Sequence, residues 1–161
     1  MSFLNKPTRT HFVLPDVQAK DGNDFTFLTC IGKYIVDKKP DVIICIGDFA
    51  DMESLSSYDV GKKSFEGRSY QKDIWAAREA MDALLQPIYD YNKQAKSFKH
   101  KQYKPRMVLT LGNHEDRINR AVEDDAKREG GQDPACAACW DQREGDAFRR
   151  CHRGHDEEVD D

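Results

Sequence analysis

Six residues carry the chemistry this chain has to offer: Asp16, Gln18, Asp48, Asp51, Asn113 and His114. They fall in three short stretches, Pro15-Asp16-Val17-Gln18, Gly47-Asp48-Phe49-Ala50-Asp51 and Gly112-Asn113-His114-Glu115. Carboxylates and amide oxygens are hard ligands, and a histidine adds a nitrogen donor, so the inventory suits a divalent metal site. Taken singly, each aspartate reads more readily as a turn or helix cap behind a strand. Taken together, their order and spacing favour the metal site.

Something must bring three separated stretches together. Each follows an apolar run: HFVL (residues 11–14), VIICI (42–46) and MVLTL (107–111). Such runs ending in a polar residue read as buried parallel strands, and in open α/β sheets ligands gather at the carboxyl ends of the strands. Between them the apolar spacing predicts two helices. One runs from about Asp24 to Lys38, capped by Asn23 or Asp24, with Phe25, Leu28, Ile31, Ile35 and Val36 on one side and Pro40 beyond its end. The other runs from about Tyr70 to Lys93, with Ile74, Ala77, Met81, Leu84, Leu85 and Ile88 facing the sheet and Pro87 kinking or interrupting it. A third helix is expected over roughly Glu115 to Arg128, stopping at Gly130-Gly131. Residues 52–69 are polar, show no period, and read as a long loop at the sheet edge, of a length that is often functional and here expected to help select a substrate. Strands alternating with helices give an α/β fold, a parallel βαβαβ sheet flanked by helices.

Three motifs in this order, D-x-(H/Q), G-D-x-x-D and G-N-H-(D/E), each behind its own strand, resemble the calcineurin-like metallophosphoesterase superfamily. The resemblance covers about Thr10 to Arg120. The segments DFADMESLSSY (48–58) and GNHEDR (112–117) look most like the bacteriophage and bacterial members. It implies the N-terminal half of the family's α/β sandwich and a metal-dependent phosphoesterase, cleaving a phosphomonoester or phosphodiester through a metal-activated water at a two-metal site. Asp48 would bridge the two divalent ions, Asp16 would bind one and Asn113 the other. His114 would be the general acid, aimed by Asp51. Gln18 stands where the family most often has histidine. Its neutral amide oxygen points to Mn²⁺ first, with Mg²⁺, Fe or Zn²⁺ as alternatives. Arg117, one helical turn beyond His114, is placed to clamp phosphate bidentately, a solvated arginine being the competing reading. Gly47 and Gly112 would allow close backbone approach at the strand ends.

The domain expected over residues 1–129 is followed by a segment, 130–161, of different composition. Fourteen lysines precede residue 130 and none follows; the tail holds four arginines, and Val159 is its only β-branched or long aliphatic residue. A segment so poor in apolar side chains does not fold by itself. It reads as a disordered polar tail, as a change of reading frame, or as a zinc knuckle built from Cys136, Cys139, Cys151 and His152 or His155. The resemblance implies further histidine ligands from a second half, and His152 and His155 are poor stand-ins. The alternative function is therefore a catalytically incomplete fragment, truncated or frame-shifted, acting at most as a metal-binding or interaction module, with apolar surface left exposed on its sheet.

Composition bounds the partners. The chain has 161 residues, 34% of them charged and 39% hydrophobic, with a formal net charge of -4. One domain is the default at this length. The charge gives no general attraction to nucleic acid, which stays open as a substrate but not as an indicated partner, nor to anionic membrane. Lys93, Lys96, Lys99, Lys101, Lys104 and Arg106 read as a solvated helix end and loop. No run spans a bilayer and no secretory h-region opens the chain, so the cytoplasm is expected, that of a host cell if phage-encoded. Cys30 and Cys45 are expected as buried free thiols. Oligomeric state is not legible.

Overall fold

A computed structural model describes residues 8–59 and 61–124. Strand β1 (His11–Leu14) leads to helix α1 (Thr26–Lys38), strand β2 (Val42–Cys45), helix α2 (Tyr70–Ser97), strand β3 (Arg106–Leu109) and helix α3 (Asp116–Asp124). The strands form one parallel sheet in the order β1-β2-β3. Leu14 lies opposite Cys45, and Cys45 opposite Leu109, so all three strands end at one edge. This is the parallel α/β arrangement expected from the sequence.

Alternation along the strands decides which sheet face is covered. Phe12, Leu14, Ile43, Cys45, Met107 and Leu109 pack against Leu28 and Ile35 of α1 and against Ala80, Met81, Leu84, Leu85 and Ile88 of α2. All six α2 residues expected to face the sheet are buried, but only Met81, Leu84, Leu85 and Ile88 join the sheet cluster; Ile74 and Ala77 pack instead with Ala50 and Met52 of the loop after β2, because the start of α2 lies against that loop. On α1, Phe25, Leu28 and Ile35 are buried, while Ile31 and Val36 are partly so.

Several boundaries depart from expectation for local reasons. Helix α1 begins two residues late and is capped by Phe25 without a side-chain bond. Asp24 still serves the first turn, because its Oδ1 accepts from Thr26 N at 2.8 Å and from the Thr26 hydroxyl at 2.6 Å. Pro87 neither ends nor interrupts α2, which runs on to Ser97. A proline removes one backbone donor and crowds the preceding turn, but buried Leu84, Leu85 and Ile88 around it and Ala95 beyond it anchor the helix on both sides. Helix stability in a folded chain comes mostly from such packing. Strand β3 starts earlier than expected, at Arg106, whose N–H donates to Asp41 O at 3.0 Å. Residues 53–65 hold three single turns of 3-10 helix where no order was expected.

Cys45 is buried, and burial pushes its thiol up to about 11. Cys30, expected inside, is exposed. The buried stripe of α1 is Leu28, Gly32 and Ile35, and at about 3.6 residues per turn position 30 falls on the opposite side of the helix. The six basic residues from Lys93 to Arg106 are all exposed, at the end of α2 and in the connection to β3. Among the described residues no helix is long and apolar enough to cross a membrane. The end of the third helix expected up to Arg128, and the tail with Cys136, Cys139, Cys151, His152 and His155, lie outside the described residues.

Candidate active site

The chain leaves β2 through a tight, unusual turn. Gly47 has φ +101° and Asp48 φ +48°, a left-handed conformation that costs a non-glycine residue roughly 1 kcal/mol. Beside it, Gln18 at the end of the first loop also has φ +49°. The two loops continue the parallel pairing beyond the strands: Gln18 N donates to Asp48 O at 2.9 Å, Ala19 N to Phe49 O at 2.8 Å and Asp51 N to Ala19 O at 2.9 Å. Left-handed aspartate in a rigid surrounding is the kind of strain that accumulates at functional positions.

Glu115 holds this turn. Its side chain is 4% exposed and accepts three backbone N–H bonds, from Asp48 at 3.0 Å, Ala50 at 2.9 Å and Gly112 at 2.8 Å. One carboxylate therefore ties the loop after β2 to the loop after β3. It also draws the two backbones so close that Gly112 lies directly on Asp48, where any side chain at 112 would collide with the aspartate. Sequence reasoning passed over Glu115 as a letter of the motif. The available signal was a carboxylate in an uncharged loop between a strand end and a helix, where only buried N–H groups await it.

Asp48 in turn holds the third loop, its Oδ1 accepting from His114 N at 2.9 Å. The ring of His114 lies against Asp51, with Nδ1 2.9 Å from Asp51 Oδ1. That distance suits a hydrogen bond, yet the contact is poorly aligned, and Nδ1 has no well-directed partner among the described residues. Lys20 Nζ stands 3.8 Å from the other oxygen of Asp51. Arg117 Nη1 donates to Asp51 O at 2.8 Å and to Met52 O at 3.3 Å, and Nη2 lies 3.3 Å from His114 Nε2. Since an arginine only donates, Nε2 is the acceptor here and the neutral ring carries its proton on Nδ1, toward Asp51.

Of the expected site residues, the structure thus joins Asp48, His114, Asp51 and Arg117 by direct contacts, and sets Gln18 beside Asp48 through the backbone. Asp16 and Asn113 are exposed at the same sheet edge. An open depression of about 360 Å³ adjoins Asn113, lined by Ser57, Tyr58, Asp116, Arg117 and Arg120 as well. Among the described residues no three His, Cys, Asp or Glu side chains form a metal-holding group. The donors at this edge are two carboxylates, Asp16 and Asp48, with two amides, Gln18 and Asn113. This all-oxygen set fits a hard divalent cation better than zinc.

Comparison with known proteins bears on these contacts. No curated protein and no solved structure matches the chain. The family model for calcineurin-like phosphoesterases matches residues 10–154, which takes in all three loops and reaches into the segment beyond residue 124. The matched stretch contains the loops that Glu115, Asp48 and Arg117 hold together, and the chain belongs to the calcineurin-like phosphoesterase family.

Proposed function

We propose that the chain hydrolyses a phosphomonoester or phosphodiester at the edge where β1, β2 and β3 end. The observation that carries this reading is the linked pair of contacts at His114, its backbone on Asp48 Oδ1 and its ring on Asp51. A histidine beside the aspartate that would bind metal, with a second carboxylate behind its ring, is the arrangement a general acid needs. Asp16, Gln18, Asp48 and Asn113 would hold two divalent ions, Mn²⁺ first and Mg²⁺, Fe or Zn²⁺ after it. Such ions supply Lewis acidity to the phosphoryl oxygens and make a bound water nucleophilic near neutral pH. The work of the chain itself is positional. Asp48 fixes the third loop and Asp51 orients the imidazole through Nδ1–H; His114, once Nε2 has also taken up a proton and turned from Arg117 Nη2, would deliver that Nε2 proton to the leaving oxygen and return to the Nδ1–H form.

A second reading has one observation in its favour. Val13 and Ile46 lie exposed on one sheet face, an apolar surface of the kind that takes partners, and on this reading the chain would act as a metal-binding or interaction module without turnover. Hydrolysis of p-nitrophenyl phosphate and bis-p-nitrophenyl phosphate by the purified chain separates the two. Manganese-dependent turnover that disappears in Asp48→Ala supports the hydrolase, and the preferred substrate distinguishes monoesterase from diesterase. A folded chain that binds Mn²⁺ and turns over neither ester supports the module.

A further inference from the structure

We propose that Arg117 is a positioning residue for the His114–Asp51 pair and not a clamp for the substrate phosphate. The kinetic part of this proposal rests on the hydrolase reading above; the structural part does not. The Arg117 side chain is 14% exposed, and the guanidinium is engaged by the protein on two sides. Nη1 holds the main chain where it leaves the second motif, through the carbonyls of Asp51 at 2.8 Å and Met52 at 3.3 Å, and lies 3.5 Å from Asp51 Oδ1. Met52 has φ +50°, so these two carbonyls flank a left-handed turn; the Met52 carbonyl also accepts from Leu55 N at 3.1 Å, and Arg117 adds a donor to both. Nη2 reaches the histidine ring at 3.3 Å.

One planar fork therefore fixes three things: the turn after Asp51, the Asp51 carboxylate, and the imidazole that the carboxylate faces. The ring contact also selects the tautomer. A donor at Nε2 leaves the ring proton on Nδ1, the nitrogen 2.9 Å from Asp51 Oδ1. A phosphate clamp needs two N–H groups of one guanidinium aimed together at the ligand, and here Nη1 and Nη2 are turned to different protein groups. Lysine offers a single charged point and cannot bridge both targets, so Arg117→Lys is not conservative at this position.

The test uses the full 161-residue chain as wild type, Arg117→Lys and Arg117→Ala, checked for folding by circular dichroism. With Mn²⁺ and p-nitrophenyl phosphate, a positioning role lowers kcat by about 10²-fold in both variants, with KM and inhibition by inorganic phosphate little changed. Added guanidinium restores part of the activity of Arg117→Ala. A tenfold rise in KM and in the phosphate inhibition constant, about what losing one charge-assisted bond gives, with kcat kept, overturns the proposal. A second readout needs no turnover. In the metal-free chain at one fixed pH, ¹⁵N spectra of the His114 ring should show the Nδ1–H tautomer in wild type and a mixture in the variants. An unchanged ring spectrum in folded Arg117→Ala overturns the proposal whatever the kinetics. A wild type with no turnover but with this change of tautomer removes the hydrolase reading and leaves Arg117 as the positioning residue.

Discussion

Asp48 can occupy its left-handed turn because Glu115 secures the backbone on both sides of it. Hydrogen bonds to a charged acceptor contribute more than neutral ones, and a buried N–H left without a partner costs on the order of 1–3 kcal/mol. Glu115→Ala orphans the N–H groups of Asp48, Ala50 and Gly112 together. The expected loss, read from urea unfolding, is about 3 kcal/mol or more; a loss below about 1 kcal/mol would show that water replaces the carboxylate freely. Asp73 is the opposite kind of buried carboxylate. It is 1% exposed, accepts from Ser54 N at 3.0 Å and from the Ser54 hydroxyl, and pins the loop that follows Asp51 to the start of α2. Burial raises its pKa above the ordinary 3.8, outweighing the Ser54 bonds; Asp51 adds to the rise and Arg68 opposes it. Between the ordinary value and the raised one the native state holds more protons than the unfolded chain, so this group's contribution to stability falls as pH rises through that window. Asp73→Asn keeps an acceptor for Ser54 and cannot ionise. Its stability relative to wild type should therefore climb as pH is raised from about 4 toward neutrality, followed as urea midpoints. Parallel pH profiles for the two proteins would rule out a titrating Asp73.

At the scale of elements, the helices were legible because packing writes a period into sequence. The α2 stripe from Ile74 to Ile88 is buried as its spacing demands. What spacing does not carry is the distance between two helices. Gly32 is buried on α1, and a Cβ there would meet the Leu84 carbonyl oxygen and lie 2.9 Å from Pro87 Cγ. The proline that by itself argues for a break in α2 is thus part of the surface on which α1 rests. Gly32→Ala has no room on that surface and forces the helices apart. The expected loss is about 1–3 kcal/mol, despite the better helix propensity of alanine, which alone would stabilise by roughly 1 kcal/mol. A urea midpoint equal to or above that of wild type would show that α1 and α2 can separate without loss. The site was legible in the same uneven way. Asp16, Asp48 and Asn113 announce themselves as polar residues after apolar runs. Glu115 and the guanidinium fork of Arg117 act through backbone groups, whose positions no residue type reveals. The cap of α1 was misplaced by one residue: the Asp24 carboxylate does bond to Thr26, the first residue of the helix, but Phe25 occupies the cap position between them.

The whole sheet is covered on one face only among the described residues. Parallel sheets ordinarily carry cover on both faces, and the open face here is apolar. Val13, Ile44 and Val108 lie in one row across the three strands, and Ile46 extends it along β2. Val13 is 50% exposed and Ile46 52% exposed. Apolar surface of this kind drives association in proportion to the area it removes from water, roughly 25 cal/mol per Å². Threonine at both positions keeps the β-branched shape that suits a strand while making the row polar. Val13→Thr with Ile46→Thr should leave the urea midpoint nearly unchanged, since neither side chain enters the core beneath the helices. It should reduce concentration-dependent association, followed by sedimentation velocity across a range of protein concentrations. If the doubly substituted chain associates as wild type does, the open face is not what the copies bind through. If it unfolds, the row is part of a buried core and not an open surface.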